Sequence, residues 1–443
     1  MTTGTDPLAS AADFVADGRY DDPAVRRYAR ILLADAVTLA LAAHTVPGAT
    51  AFGELGAGSG AHLAWSSGNR LGAADAVQAN AVAVCARFQD DTDMRSWSHP
   101  GSFVVPSAVA AAVETGATYG ALLDGLVAGY ATTAWLGADG QVPLAMMAAG
   151  HRPSPTFAAA GASAAASRAA GLTAGQTLHA LSGALLVGRG SLHSVGSGGE
   201  DWRLHNPGAA RDGFLYALAA RAGMVAGPGA LDARFGFLRM IAGLGTVPEP
   251  LRTPPHQDLV LDVWTKALPT LGDNMAAALA ARHLHHNGQG RTAVAGAPVT
   301  VRMNAHFAGF PGTLGRPPFP TLTSALSSVR FVTAQLLATG TLTSADYDRR
   351  DDETVVALAA RVEVVADDDL GYRDAVVTIG SGGDAVTCRT ADLPAELFFR
   401  DSAEQRRAAG ELLGDRGGRV VDALLEGDEN AAAAEIVHDA VGR

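Results

Sequence analysis

The chain has 443 residues, of which 48% are hydrophobic and 18% are charged. It therefore has ample apolar material for a large core, and its composition is not that of a disordered protein. The formal net charge of −12 argues against a nucleic-acid or anionic-membrane partner. The two cysteines, Cys85 and Cys388, give neither a disulfide framework nor metal-ligand spacing, which favours a reducing compartment. We expect a cytoplasmic protein, because no signal-peptide pattern is present and no apolar run reaches the ~20 residues of a membrane span.

The first 250 residues carry the hydrophobic periodicity of helices. The predicted helices cover residues 23–44, 73–87, 107–115, 119–136, 156–170, 173–187 and 209–224, with a short one ending near 241. Short links between neighbours favour antiparallel pairs. A Pro-rich stretch at 248–255 ends this region.

The residues that follow mix strands with helices. The predicted strands are 299–303, 361–366, 374–379 and 384–389, the last two forming a hairpin around Ser381-Gly382-Gly383, and the predicted helices are 322–339 and 353–360. Residues 401–441 are helical again. We therefore predict a mainly α fold with a helical domain over 1–250, an α+β domain over 251–395, and C-terminal helices over 396–443 that return to the helical domain.

A polar segment at 88–106 separates two of the predicted apolar helices. Functional residues concentrate on loops that rigid elements hold in place. Asp90, Asp91 and His99 could serve as general acids or bases, and Thr92 and Ser102 could hold a polar substrate. The alternative is a cluster of caps and turns, since Asp, Thr, Ser and Pro-Gly are also common linker residues.

Two other features stand out against the apolar background. His151 and Arg152 precede a predicted helix whose N-terminus suits a carboxylate, although a capped helix with an exposed His is the simpler interpretation. Lys266 is the sole lysine in the chain. A lysine suits roles that arginine cannot fill, because burial can lower its pKa; its survival by chance is the alternative.

The run Asp90-Asp91-Thr92, followed by His99-Pro100-Gly101 and an apolar helix with Glu114, resembles the signature of the MmgE/PrpD family. That family includes 2-methylcitrate dehydratase, cis-aconitate decarboxylase and iminodisuccinate epimerase. The resemblance extends from about residue 35 to about residue 366. It implies a helical domain with a smaller α+β lid, a homodimer, and catalysis without a cofactor.

The resemblance also implies roles for residues in other segments. His99, Thr92 and Lys266 match family positions, and His151 matches after a shift of one residue. In the family, a Lys, an apolar residue and a His precede the sequence Gly-x-Ala-Ala. The corresponding stretch of this chain is Trp202-Arg203-Leu204-His205. Either Arg203 or Trp202 therefore replaces that Lys. Arginine can bind a carboxylate in a bidentate manner, but it does not readily donate a proton.

Other positions depart from the family pattern. The histidines expected after Pro269 are replaced by Leu271, Asp273 and Asn274. Phe331 stands where a Tyr is expected, beside Ser328 and Arg330. For that last stretch, an amphipathic helix with a solvated Arg330 is the alternative to a site. These departures suggest a substrate or reaction different from those of the best-known members.

The resulting hypothesis is a cofactor-independent lyase, dehydratase- or decarboxylase-like, that transfers protons next to a carboxylate of a small anionic substrate. The substrate would bind between the helical domain and the lid. The expected catalytic residues are His99, His151, Lys266, Asp90 and Asp91, and the expected substrate-binding residues are Thr92, Arg203, His205, Arg152, Ser328 and Arg330. No metal is expected, because the His and acidic residues lack ligand spacing. The alternatives are an isomerase or epimerase, a repurposed dehydratase or cyclase of a specialised biosynthetic pathway, and a non-catalytic scaffold.

Overall fold

The computed structural model describes residues 6–442 apart from 59 and 189. The chain forms two compact units. The helical unit comprises Met1–Ser191, Arg203–Thr265 and Arg400–Arg443, and the mixed unit comprises Leu192–Trp202 and Lys266–Phe399. The fold is mainly α, with one small sheet region in the mixed unit, as predicted. Relative to the predicted ranges, residues 192–202 group with the mixed unit and residues 251–265 with the helical unit.

The helices and strands are numbered in chain order. The α-helices are α1 (Pro7–Asp17), α2 (Pro23–Ala42), α3 (Pro47–Glu54), α4 (Ala73–Cys85), α5 (Gly101–Thr115), α6 (Tyr119–Leu136), α7 (Gln141–Ala148), α8 (Pro153–Ala169), α9 (Ala174–Leu185), α10 (His193–Ser197), α11 (His205–Arg221), α12 (Phe237–Met240), α13 (Gly272–His286), α14 (Gly290–Val294), α15 (Ala305–Ala308), α16 (Leu322–Ser327), α17 (Val329–Thr339), α18 (Glu353–Arg361), α19 (Ser402–Leu413), α20 (Asp415–Glu426) and α21 (Ala433–Gly442). The strands are β1 (His62–Leu63), β2 (Arg70–Leu71), β3 (Val299–Asn304), β4 (Val362–Asp367), β5 (Ala375–Ile379) and β6 (Val386–Arg389). Short 3-10 helices lie at Ala43–Thr45, Asp201–Leu204, Glu249–Arg252, Gln257–Asp262, Ser344–Arg349, Gly382–Asp384, Thr390–Asp392 and Ala395–Leu397.

Local sequence explains where several helices begin. Helix α2 has Pro23 in its first turn, and the Asp22 carboxylate accepts the backbone N–H groups of Ala24 and Val25. A proline needs no N–H partner there, and the aspartate satisfies two amides that the helix leaves unpaired. Thr118 caps α6 through its hydroxyl, which accepts the backbone N–H of Ala121.

Helix α8 lies at the centre of the helical unit, packed against α5, α6, α9 and α11. Its residues 158–166 are all Ala, Gly or Ser and are all buried, so neighbouring backbones approach closely. A Cβ atom added at Gly213 of α11 would lie 2.1 Å from the carbonyl oxygen of Ala159. Only glycine fits that contact, and α8 is therefore held rigidly among its neighbours.

The mixed unit contains a four-stranded sheet of order β4-β3-β5-β6. Strand β3 is parallel to β4, with Val299 opposite Val362, and antiparallel to β5. Strands β5 and β6 form the predicted hairpin, with Val377 opposite Cys388. Helix α13 packs on this sheet and against α17.

Several predicted boundaries were wrong in ways that affect the candidate site. Helix α5 begins at Gly101 rather than at 107, so the polar loop is shorter than predicted and Pro106 lies inside the helix. Helix α11 begins at His205 rather than near 209. The single helix predicted over 322–339 is broken at Ser328, whose ψ of 115° is extended. Two short strands, β1 and β2, also interrupt the otherwise helical unit.

Among the described residues, no single helix combines the length and apolar character needed to cross a bilayer, although the bent pair Pro23–Thr45 and Gly48–Glu54 meets that requirement jointly.

Candidate active site

The polar loop between α4 and α5 is held by backbone hydrogen bonds in its middle part. Thr92 and Trp264 exchange backbone hydrogen bonds, with N···O distances of 2.9 and 2.7 Å. Asp93 and Ser98 pair in the same way, and the Asp93 carboxylate accepts the backbone N–H groups of Arg95 and Ser96. The loop is therefore a folded structure with a defined conformation, well suited to hold side chains in fixed positions.

His99 has a defined orientation at the end of this loop. Its Nδ1 lies 2.9 Å from the backbone carbonyl oxygen of Asp91 and 3.2 Å from Thr92 Oγ1. Because a carbonyl oxygen can only accept, Nδ1 carries the proton and the basic lone pair of the neutral ring is on Nε2. In this tautomer Nε2 is the ring atom that can accept a proton.

Phe88 packs against the same imidazole. The two rings meet edge to face with centroids 5.8 Å apart. Phe88 has a φ of 55°, a left-handed conformation that is rare for a bulky residue and is usually strained. Strain of this kind is concentrated at functional sites, and here it falls on the residue that covers one side of His99.

Asp91 uses its carboxyl group behind the loop, where it contacts two helices. Its Oδ1 accepts the backbone N–H of Gly101 at 2.7 Å, and its Oδ2 accepts the Tyr130 hydroxyl at 2.6 Å. A Cβ atom on Gly101 would come within 2.9 Å of this carboxyl group, so the glycine is needed for the contact. Only 3% of Asp91 is exposed. Its carboxyl group therefore stabilises the loop, and its backbone carbonyl orients His99.

The segment before α8 reaches the same loop. The backbone N–H of His99 donates to Ser154 Oγ at 3.1 Å. Arg152 is buried, and its backbone N–H donates to the carbonyl oxygen of Gly190. His151 is half-buried and forms an isolated β-bridge with Ser191. Helix α8 begins at Pro153, three residues before the predicted start, which places Ser154 in its first turn.

The segment before α11 completes the cluster in the helical unit. Asn206 Nδ2 donates to Ser102 Oγ and to Ser154 Oγ, both at 2.9 Å. His205 lies beside Gly190, since a Cβ atom there would be 3.2 Å from His205 Nδ1. The three polar segments that the sequence singled out before α5, α8 and α11 therefore meet within one unit.

Charged side chains from these segments act electrostatically on the buried Cys85 thiol. The pKa of Cys85 is raised to about 12, first by burial and then by the charge of Asp90, while the charges of Arg203 and Arg152 lower it. The Arg203 guanidinium also donates to the carbonyl oxygen of Ala86 at 2.6 Å. One buried carboxylate and two arginines are thus grouped near the loop. The thiol itself is unreactive at neutral pH because so little thiolate forms.

Trp202 is grouped with the other compact unit of the chain. It belongs to the mixed unit, where its indole N–H donates to Thr323 Oγ1 at 3.0 Å. Arg203 belongs to the helical unit. Of the two residues that could stand in for the missing lysine, Arg203 is the one in the same unit as Asp90 and Arg152.

The remaining candidate residues belong to the mixed unit. Lys266 is 0% exposed and its Nζ donates to the carbonyl oxygen of Thr270 at 3.1 Å. Burial raises the pKa of nearby Asp273 to about 7, although the charge of Lys266 lowers it. A buried ammonium and a buried carboxyl group thus lie close together where helix α13 begins.

Ser328 and Arg330 form hydrogen bonds to the backbone of the mixed unit. The predicted alternative of a solvated Arg330 is wrong, because Arg330 is buried and donates to the carbonyl oxygens of Val362 and Leu314. The Ser328 hydroxyl donates to Gly315 and accepts the backbone N–H of Phe331, which caps α17. These contacts favour structural roles for both residues.

The sequence pattern of the MmgE/PrpD N-terminal domain matches residues 9–248, more than half of the chain. The chain belongs to the MmgE/PrpD family. Members of this family are generally lyases, and the match supports a dehydratase-like or related function. It spans the three polar segments that meet in the helical unit. No curated protein matches the chain.

Three residues of the polar cluster in the helical unit were not predicted from the sequence as site residues. Ser154 and Asn206 lie inside polar segments that were recognised, so composition pointed to their surroundings but not to their contacts. No sequence pattern indicated a role for Tyr130, because it is one aromatic residue within an apolar helix. Within the described part of the chain, no three His, Cys, Asp or Glu side chains are close enough together to hold a metal ion.

The buried carboxyl of Asp91 predicts a pH-dependent stability for this MmgE/PrpD protein. In the folded protein, burial raises the pKa of Asp91 to about 8, although hydrogen bonds from Tyr130 and Gly101 lower it. In the unfolded chain an aspartate has a pKa of about 3.9. Between about pH 4 and pH 8 the unfolded chain releases a proton that the folded chain retains. The stabilisation is therefore fully present below about pH 4 and is lost as the pH rises through about 8.

We expect Asp91→Asn to reduce this decline, measured as the free energy of unfolding in urea at intervals from pH 4.5 to 8.5. The neutral amide cannot release the proton, so a slope of up to about 1.4 kcal/mol per pH unit should be removed. Asp273→Asn should remove a second decline that ends near pH 7. If the slopes of wild type and Asp91→Asn coincide, the carboxyl is ionised in the folded protein and the assignment is wrong.

Proposed function

We propose that this chain is a cofactor-independent lyase, dehydratase- or decarboxylase-like, that transfers a proton next to a carboxylate of a small anionic substrate. The observation that carries the proposal is the orientation of His99. Its Nδ1 faces the Asp91 carbonyl at 2.9 Å, which leaves Nε2 as the basic atom. A general base needs such a fixed geometry before its pKa matters.

The two arginines support the choice of an anionic substrate. The positive charges of Arg152 and Arg203 both lower the pKa of the buried Cys85 thiol. Arg152 precedes α8 and Arg203 precedes α11, and the first turns of these two helices contribute to the hydrogen bonds that hold His99. A guanidinium matches a carboxylate with two parallel hydrogen bonds. Two positive charges also stabilise the negative charge that develops on a carboxylate when the adjacent carbon loses a proton.

The proposed reaction proceeds as follows. His99 Nε2 removes a proton from the carbon next to the carboxylate, and the electron pair of that C–H bond moves into the carboxylate to give an enediolate. The pair then returns to form a carbon–carbon double bond as a hydroxyl group on the next carbon leaves. An acid must protonate this hydroxyl as it departs, so that the products are water and an unsaturated acid.

Exchange with heavy water tests the proposal directly. The purified protein would be incubated in D2O with hydroxytricarboxylates, hydroxydicarboxylates and amino-dicarboxylates, and the recovered acids analysed by NMR and mass spectrometry. We expect deuterium at the carbon next to a carboxylate in at least one acid, together with an unsaturated product. Exchange without a new product would indicate an isomerase or epimerase. No exchange with any of these acids would favour the non-catalytic scaffold and overturn the proposal.

A further inference from the structure

One amide side chain connects three helix starts in the helical unit. Ser102, Ser154 and Asn206 are the second residues of α5, α8 and α11. Asn206 Nδ2 donates one hydrogen bond to each of the two serine hydroxyls, both at 2.9 Å. Asn206 is 3% exposed, so solvent does not weaken these bonds by competing for them.

The two serines hold the main chain of His99 from both sides. Ser154 Oγ accepts the backbone N–H of His99 at 3.1 Å, and Ser102 Oγ donates to the backbone carbonyl of His99 at 2.7 Å. Both polar groups of this residue's backbone are therefore bound to hydroxyls that Asn206 binds in turn. The position of the imidazole depends on this backbone, because its own hydrogen bond to Asp91 is short and directional.

Simple hydrogen-bond chemistry fixes the orientation of the amide. The single hydroxyl proton of Ser102 is donated to the His99 carbonyl, which can only accept. Ser102 must therefore accept from Asn206, so the NH2 group faces the serines. Among the residues that the structure describes, the Asn206 Oδ1 atom accepts no hydrogen bond although it is buried. A buried acceptor without a partner is destabilising, so the residue is poorly suited to a role in stability alone.

We propose that Asn206 is a positioning residue for the proton transfer, acting on His99 through the hydroxyls of Ser102 and Ser154. The proposal rests on the function proposed above, because it assumes that His99 is the base. Asn206 need not contact the substrate. Its two N–H groups fix the backbone of His99 relative to α5 and α8.

The test compares Asn206→Asp and Asn206→Ala with Asn80→Asp. A carboxylate at 206 keeps the shape of the side chain but has no hydrogens to donate, so both bonds to serine are lost. Asn80 is a matched control, since it is also buried in the helical unit but binds the backbone of Leu63 and Trp65. We expect kcat to fall about 10²-fold in both variants at 206 with little change in KM, as misplacement of a catalytic group predicts. Asn80→Asp should retain kcat wherever circular dichroism shows it folded.

A second measurement needs no substrate. The nitrogen NMR spectrum of histidine-labelled protein, with the His99 signals identified by their loss in His99→Ala, reports which ring nitrogen carries the proton. We expect the Nδ1–H form in wild type and Asn80→Asp, and a mixture of both forms in Asn206→Asp. If His99 keeps a pure Nδ1–H form in Asn206→Asp, the positioning role is overturned. If the mixture appears but wild type shows no deuterium exchange, the positioning role is supported and the proposed function fails.

Discussion

Replacing His99 with alanine is expected to lower kcat/KM by ~10²–10⁴-fold, the usual contribution of a general acid or base, and to abolish deuterium incorporation. The expectation follows from the fixed tautomer, which makes Nε2 the basic atom of the ring. The variant should remain folded, because the His99 side chain is only half-buried and the loop is held mainly by backbone contacts of Thr92 and Asp93. The measurement is the initial rate on the acid that shows exchange in wild type.

His44→Ala is the matched control for this experiment. His44 is an exposed histidine at the end of α2 whose Nδ1 lies 3.0 Å from the carbonyl oxygen of Leu41. The rate and the exchange should be unchanged in this variant. Retention of more than a tenth of the wild-type rate in folded His99→Ala would show that another group removes the proton, and the mechanism would have to be reassigned.

The second large effect concerns stability. Replacing Arg400 with methionine is expected to lower the free energy of unfolding by about 3–5 kcal/mol, the range for breaking a buried ion pair. Arg400 is 9% exposed and forms an ion pair with Asp35 of α2, which is 3% exposed. The same guanidinium donates to Gln405 Oε1 at 3.2 Å. Without the arginine, the Asp35 carboxylate is left buried without its countercharge.

A double variant separates the lost attraction from the cost of the unpaired charge. Asp35→Leu together with Arg400→Met removes both charges, and most of the loss should be recovered because burying two charges is itself costly. Arg19→Met is the surface control, since the Arg19–Asp21 pair is highly exposed and such pairs contribute little. Urea unfolding of the four proteins gives the comparison. A loss below about 1 kcal/mol in Arg400→Met would show that water reaches the carboxylate.

Several elements could be predicted because their determinants are local. Asp22-Pro23 carries both a cap and a helix-compatible φ, and α2 begins where these residues place it. The Ser381-Gly382-Gly383 sequence between two alternating segments predicted the hairpin of β5 and β6, which the structure confirms. In both cases the residues that specify the element lie within or next to it.

The start of α5 could not be predicted in this way. The polar segment was predicted to extend to residue 106, with the helix beginning at 107. The helix instead begins at Gly101, whose backbone N–H donates to the carboxyl group of Asp91, ten residues earlier in the chain. No local pattern reveals an acceptor that a folded loop supplies.

The candidate site was likewise predictable where the determinants are local and unpredictable where they depend on distant residues. Residue types and the family pattern indicated the loop, His99 and the neighbouring arginines. They did not indicate that Asp91 would direct its carboxyl group towards Tyr130, or that Asn206 would bind two serines, because these partners are 39 to 104 positions apart. A role that depends on where a side chain points can be assigned only from the three-dimensional structure. The presence of polar groups in an apolar chain can be recognised from the sequence alone.

The small side chains of helix α8 have a consequence for how substrate preference could change in this chain. New enzymes often arise when a bulky residue in the wall of a site is trimmed to admit a larger molecule. Between positions 158 and 166 a substitution can remove very little volume, because every residue is already Ala, Gly or Ser. Enlarging one would force apart helices whose backbones are in close contact, as at Gly213. Under the proposed function, we therefore expect changes in specificity to arise in the segments that precede α5, α8 and α11 rather than in the interior of α8.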